Sequence, residues 1–67
     1  MMEEFTYYKF TFTHTNHSIF RGTIKATSPD NLTGQLKAKL FNRYRREQDI
    51  SKAVVVEITQ QEFEALQ

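Results

Sequence analysis

The chain has 67 residues, no cysteine, 39% hydrophobic residues and a formal charge of +1. That length holds one domain with a small core, and the lack of cysteine excludes disulfides and thiolate zinc sites as ways of stiffening it. Six Phe and three Tyr carry much of the apolar area, and aromatics at that density with so little net charge point to a folded chain.

Charge is uneven along the chain. Residues 1–27 hold three basic and two acidic side chains, residues 28–52 six and three, and residues 53–67 none and three. A basic middle therefore precedes an acidic end. No run approaches the ~20 apolar residues of a membrane span. The start, Met1-Met2-Glu3-Glu4, is acidic where a secretory leader is basic and then apolar. The expectation is a soluble, cytoplasmic single domain over residues 1–67.

The first element is a strand from Phe5 to Thr13. Tyr8, Phe10 and Phe12 alternate with Lys9, Thr11 and Thr13, the period of two that gives a strand one dry and one wet face. A second strand follows from Ile19 to Thr27. Phe20, Gly22, Ile24 and Ala26 share one of its faces, and Ile19, Arg21, Thr23 and Lys25 the other. Directly opposed residues share a face, so parity limits the hairpin register. A loop of Thr15-Asn16-His17 sets Phe12 opposite Phe20, Phe10 opposite Gly22 and Tyr8 opposite Ile24. Asn16 or His17 then supplies the positive φ that such a loop needs. A Phe10 ring lying over Gly22 accounts for that glycine.

Ser28-Pro29-Asp30 is a helix start: a capping hydroxyl, a proline suited to the first helical position and an acid near the positive dipole end. Leu32, Leu36, Leu40 and Tyr44 recur every four residues, with Phe41 on the flank, a stripe that faces a core. Leu36 is expected to meet Phe10 across the sheet–helix interface. The helix is predicted to run to about Glu47. From Ile50 to Thr59 the chain is too β-branched for a helix, and a third strand is predicted with Val54, Val56 and Ile58 inward. Thr59-Gln60-Gln61-Glu62 has capping-box spacing, so a short final helix brings Phe63 and Leu66 to the core edge.

These elements make a two-layer α+β domain of β-β-α-β order. A three-stranded antiparallel sheet in the order 2-1-3, with the main helix on one face, is the expected arrangement. The alternative pairs the third strand parallel to the second.

Such a sheet has one face without a helix. Phe5, Tyr7, Lys9 and Thr11 are assigned to it from the first strand, Ile19, Arg21, Thr23 and Lys25 from the second, and Ala53, Val55 and Glu57 from the third. Phe5, Tyr7, Lys9, Ile19, Arg21, Lys25 and Val55 are the candidate partner-binding residues, with Tyr7 and Arg21 as anchors. A contiguous apolar patch of this kind is characteristic of a protein interface, and a homodimer is its simplest form. Rings interleaved with cations also suit single-stranded nucleic acid. Lys39, Arg43, Arg45 and Arg46, with Lys37, form an alternative basic surface, although cations in a last helical turn are equally explained by the helix dipole.

Chemistry has little to work with. There is no nucleophile beside a base and no glycine-rich phosphate loop, and Gly22 and Gly34 are the only glycines. His14 and His17 sit three apart in the hairpin loop with no carboxylate or thiolate near in sequence, so they read as loop residues and not as metal ligands. The expectation is a non-catalytic interaction module without cofactor, metal, membrane or small-molecule substrate, a nucleic-acid-binding module being the alternative. In size and layout, though not in any motif, the chain resembles small phage and mobile-element proteins that act as inhibitors or adaptors.

Overall fold

A computed structural model describes residues 4–67. Strands β1 (Thr6–Thr13) and β2 (Ile19–Ala26) form an antiparallel hairpin with Phe12 opposite Phe20, Phe10 opposite Gly22 and Tyr8 opposite Ile24. This is the register that parity allows. The loop closes through His14 N–H donating to the Ser18 carbonyl and His17 N–H to the His14 carbonyl, each at 2.8 Å. Asn16 Oδ1 accepts from the Ser18 amide at 3.0 Å and the Ser18 hydroxyl at 2.7 Å. His17 carries the positive φ, 69°.

Helix α1 runs Pro29–Tyr44. Ser28 Oγ caps it by accepting from the Asn31 amide at 3.0 Å, which satisfies one of the free N–H groups of the first turn. The end falls short of the expected Glu47. Arg45 adopts the left-handed conformation, φ 61°, and its N–H donates to the Phe41 carbonyl at 2.7 Å. The reason lies in the stripe. Leu32, Leu36, Leu40 and Tyr44 all pack on the sheet, but the next position at that spacing is Gln48, so a further turn gains no core contact.

Asp49 then caps a 3-10 turn, Ile50–Lys52, its carboxylate accepting from the Ser51 amide at 3.0 Å and the Ser51 hydroxyl at 2.7 Å. Strand β3 (Ala53–Ile58) follows and pairs antiparallel with β1, giving the order β2-β1-β3. Helix α2 (Gln60–Ala65) closes the described chain, Thr59 Oγ1 accepting from the Glu62 amide at 3.0 Å.

The core joins Phe10, Phe12, Ile24 and Ala26 from the hairpin to Leu36 and Leu40 from α1, with Tyr8, Phe20, Leu32, Tyr44, Ile50, Ala53 and Val55 around it. Phe10 and Phe20 meet edge to face, centroids 5.3 Å apart, a favoured aromatic geometry. Among the described residues no buried side-chain polar atom lacks a hydrogen-bond partner, and no helix is long and apolar enough to cross a membrane.

The parity of β3 is the reverse of the expected one. Phe10 opposes Val55 and Phe12 opposes Ala53, so the odd residues of β3 turn toward α1. Val54 and Val56 lie outward at 63% and 45% exposure. Ala53-Val54-Val55-Val56 is apolar on both faces and carries no alternation. Its direction is set by tertiary contacts instead: Ile50, entering from the 3-10 turn, packs against the core together with Ala53 and Val55.

Candidate interaction surface

The sheet face away from α1 is a grid fixed by register. Lys25, Tyr7 and Ile58 form one row across the three strands. Thr23, Lys9 and Val56 form the next, and Arg21, Thr11 and Val54 the third. Ile19 lies beyond Arg21, opposite Thr13. Val55, assigned to this face from sequence, is on the other one, packed against the core. Ala53 goes with it, and Glu57 lies opposite Tyr8. Val54 and Val56 take their places.

The face is also not bare, because α2 lies across it. The Phe63 ring tilts against Tyr7 with centroids 5.0 Å apart. Lys9 Nζ pairs with Glu62 Oε2 at 3.5 Å, and Gln67 Nε2 donates to Thr23 Oγ1 at 3.4 Å. Ile58, in the row with Tyr7, is buried. Phe63 therefore comes to the sheet from the side opposite α1 and not at the edge of the main core, while Leu66 remains 55% exposed.

These contacts sort the candidate residues. Tyr7 is half-buried under Phe63 and is not a free anchor. Phe5 has the Lys25 ammonium 4.5 Å from its ring centroid, so those two satisfy one another through a cation–π contact. Lys9 is exposed but tied to Glu62. Ile19 and Arg21 are exposed, and among the described residues Arg21 takes part in no ion pair. Arg21, Thr23, Gly22, Lys9, Phe10, Thr11 and Leu66 line a groove of about 220 Å³ at the free end of α2.

The alternative basic surface is dispersed. Arg43 lies over the Phe20 ring at 5.5 Å, and Arg45 is the left-handed cap. Lys39 and Arg46 are exposed. A second groove of about 420 Å³ runs beside exposed Phe41, between Lys37, Ala38 and Asn42 of α1 and Glu47 and Gln48 beyond it. Its lining mixes one cation with one carboxylate.

His14 has a role that sequence did not disclose. Its ring stacks on Tyr44, with centroids 4.5 Å apart and planes 13° from parallel, and Nδ1 lies 3.2 Å from Asn16 Oδ1. The loop is thereby tied to the last turn of α1. Among the described residues no three His, Cys, Asp or Glu side chains gather where a metal could sit. Comparison with family models, with curated proteins and with solved structures gives no match for this chain.

Proposed function

We propose that this domain is a non-catalytic interaction module that binds a protein partner through the part of the sheet face α2 leaves open. The supporting observation is the free end of that face: exposed Ile19 lies two residues from Arg21 on β2, exposed Val54 ends the row that Arg21 begins, and exposed Leu66 lines the groove beside Arg21. An exposed apolar patch marks an interaction surface, and Arg21, which has no ion-pair partner among the described residues, is of a residue type that often dominates such contacts. A partner offering a carboxylate to Arg21 and an apolar flank to Val54 and Ile19 fits this chemistry. A small cytoplasmic adaptor or inhibitor, of the kind phages and mobile elements encode, is the form such a module takes.

The nucleic-acid reading uses the same face but needs free rings for base stacking. Phe5 and Tyr7, the aromatics of that face, are occupied by Lys25 and Phe63. The test is capture of partners from the native lysate by wild type and by the Arg21→Glu and Thr11→Arg variants, with and without nuclease, circular dichroism confirming the fold. Protein capture that survives nuclease and is lost in both folded variants supports the module. Capture that nuclease removes assigns the face to nucleic acid, and capture unchanged in both variants moves the site elsewhere.

A further inference from the structure

Part of the sheet face away from α1 is covered by the chain itself, and by a segment of opposite charge. The three rows of that face hold Lys25, Lys9 and Arg21 and no carboxylate. Residues 59–67, which include α2, hold Glu62 and Glu64 and no cation. The two meet where Lys9 pairs with Glu62. α2 thus sits on the face as an acidic ligand would, one ring on Tyr7 and one carboxylate on the cation of the next row.

Its seat is shallow. Phe63 is half-buried and every other residue of α2 is exposed. A helix of six residues depends on packing, and an exposed ion pair adds little to it. Segments with so few buried contacts open locally, without the rest of the domain. α2 also satisfies the face incompletely. Glu62 reaches Lys9, but Arg21, diagonal to Lys9 across β1 and β2, takes part in no ion pair among the described residues. Both cations line the groove beside Leu66.

We propose, on the reading of this face as a protein-binding surface, that α2 is a displaceable strap and that the partner is an acidic segment of α2's own kind. An aromatic side chain of the partner replaces Phe63 on Tyr7, one carboxylate replaces Glu62 on Lys9, and a second reaches Arg21. The second carboxylate decides the exchange. A segment tethered by a short linker competes from an effective concentration in the millimolar range, so a partner making only α2's contacts does not displace it at lower concentration. The strap therefore admits acidic segments that also engage Arg21 and refuses those that do not.

The first test is hydrogen exchange in the wild-type chain. The Phe63 and Leu66 amides donate to the Thr59 and Glu62 carbonyls. They should exchange at least about a hundredfold faster than the amides of β1, the central strand. Equal protection would show that α2 opens only with the whole domain and overturns the proposal. The second test is a chemical-shift titration of the full chain with an amidated peptide copying residues 59–67. Glu62→Lys sets like charges together and Phe63→Ala removes the ring, so each should bind the peptide about tenfold more tightly than wild type, with shifts at Tyr7, Lys9 and Ile58. Adding Lys9→Glu should abolish the gain. Gln67 lies against Thr23, two residues from Arg21 on β2. A peptide with Gln67→Glu should therefore bind more tightly still, and Arg21→Ala should erase that increment. Circular dichroism establishes that each variant is folded, and Glu62→Lys, at an exposed position, carries the titration if Phe63→Ala does not fold. A folded, opened variant that takes no peptide to about 1 mM overturns the proposal, as does a Gln67→Glu peptide that gains nothing. Uptake of oligothymidylate in place of the peptide also overturns it, by giving the face to nucleic acid. Lysate capture unchanged by the Arg21 and Thr11 variants, with the peptide still seated on Tyr7, counts against the protein module above; capture that holds while the peptide fails counts against the strap alone.

Discussion

A methyl group at position 22 has no room. A Cβ built on Gly22 lies 2.7 Å from Cε1 and Cζ of Phe10, where carbon atoms normally rest ~3.5–4.0 Å apart. The Phe10 ring must move by about 1 Å or the two strands must separate. Phe10 is 2% exposed and its ring meets Phe20 edge to face, so the displacement passes into a filled core. Overpacking of this kind costs ~1–3 kcal/mol, and the better backbone entropy of alanine in a strand returns roughly 0.5–1 kcal/mol. Gly22→Ala is therefore expected to destabilise the domain by about 1 kcal/mol net, at the middle of both ranges. At ~0.05–0.15 kcal/mol per residue the whole fold holds ~3–10 kcal/mol, so this is a large fraction. In urea titration, with m of ~1 kcal/mol/M for so small a protein, the midpoint should fall by about 1 M at unchanged m. A double-mutant cycle locates the cause: in a Phe10→Leu background the same Gly22→Ala change should be neutral or stabilising, because the contacting ring atoms are gone. A Gly22→Ala midpoint equal to wild type, or strict additivity in the cycle, would refute the packing argument.

The other glycine gives the opposite result. Gly34 lies mid-helix with nothing within 4 Å of an added Cβ, so Gly34→Ala should raise stability by ~1 kcal/mol in the same titration, and a loss would show a contact at that position. Arg45 holds φ 61°, a conformation that costs a residue with a Cβ ~1–2 kcal/mol and glycine almost nothing. Arg45→Gly should raise the thermal midpoint, and a drop would mean that the arginine side chain contributes more than its backbone costs. His14→Ala removes the stack on Tyr44 and should cost ~0.5–1.5 kcal/mol, with loop amide exchange quickened; unchanged stability would reduce the stack to proximity. The Asp49 carboxyl is held below its ordinary pKa by hydrogen bonds from the Ser51 hydroxyl and amide, with Lys52 adding to them. A lowered carboxylate pKa adds stability above the unfolded-state value and loses it as pH falls through the folded one. Wild type should therefore lose stability more steeply than Asp49→Asn as pH falls below the ordinary aspartate value of about 4, and parallel curves would remove Asp49 from the account.

The parts of the fold that sequence disclosed are those where local chemistry and tertiary packing ask for the same thing. The hairpin is one: alternation in both strands, a three-residue loop and a glycine under Phe10 leave a single register. The start of α1 is another, since Ser28 and Pro29 act within one turn of the chain. β3 was hidden because a run of valines satisfies either face equally, and the choice falls to Ile50 and the pairing with β1. The side taken by α2 was hidden for the same reason. Phe63 needs an apolar surface, and both the α1 side of the sheet and the Tyr7–Ile58 row offer one. The sheet face away from α1 is legible strand by strand in β1 and β2, and alternation is silent where β3 and α2 complete it. The role of His14 is not legible in sequence, because stacking on Tyr44 joins positions 30 residues apart.

The division of labour between the two helices follows from what each can bury. α1 brings Leu32, Leu36, Leu40 and Tyr44 to the dry face, enough apolar surface to make that face the core. α2 brings one ring, Phe63, together with a 3.5 Å exposed ion pair and a 3.4 Å hydrogen bond. An exposed ion pair is worth ~0–1 kcal/mol, and six residues do not hold a helix in water without packing. The hold of α2 therefore rests mainly on Phe63 against Tyr7. That single contact removes from solvent the most apolar row of the face, Tyr7 and Ile58, and leaves Arg21, Ile19, Val54 and Val56 outside its reach. The domain thus spends its scarce apolar residues on one complete layer and one partial one. The uncovered remainder reaches the outer strand of the sheet at exposed Val54 and Val56.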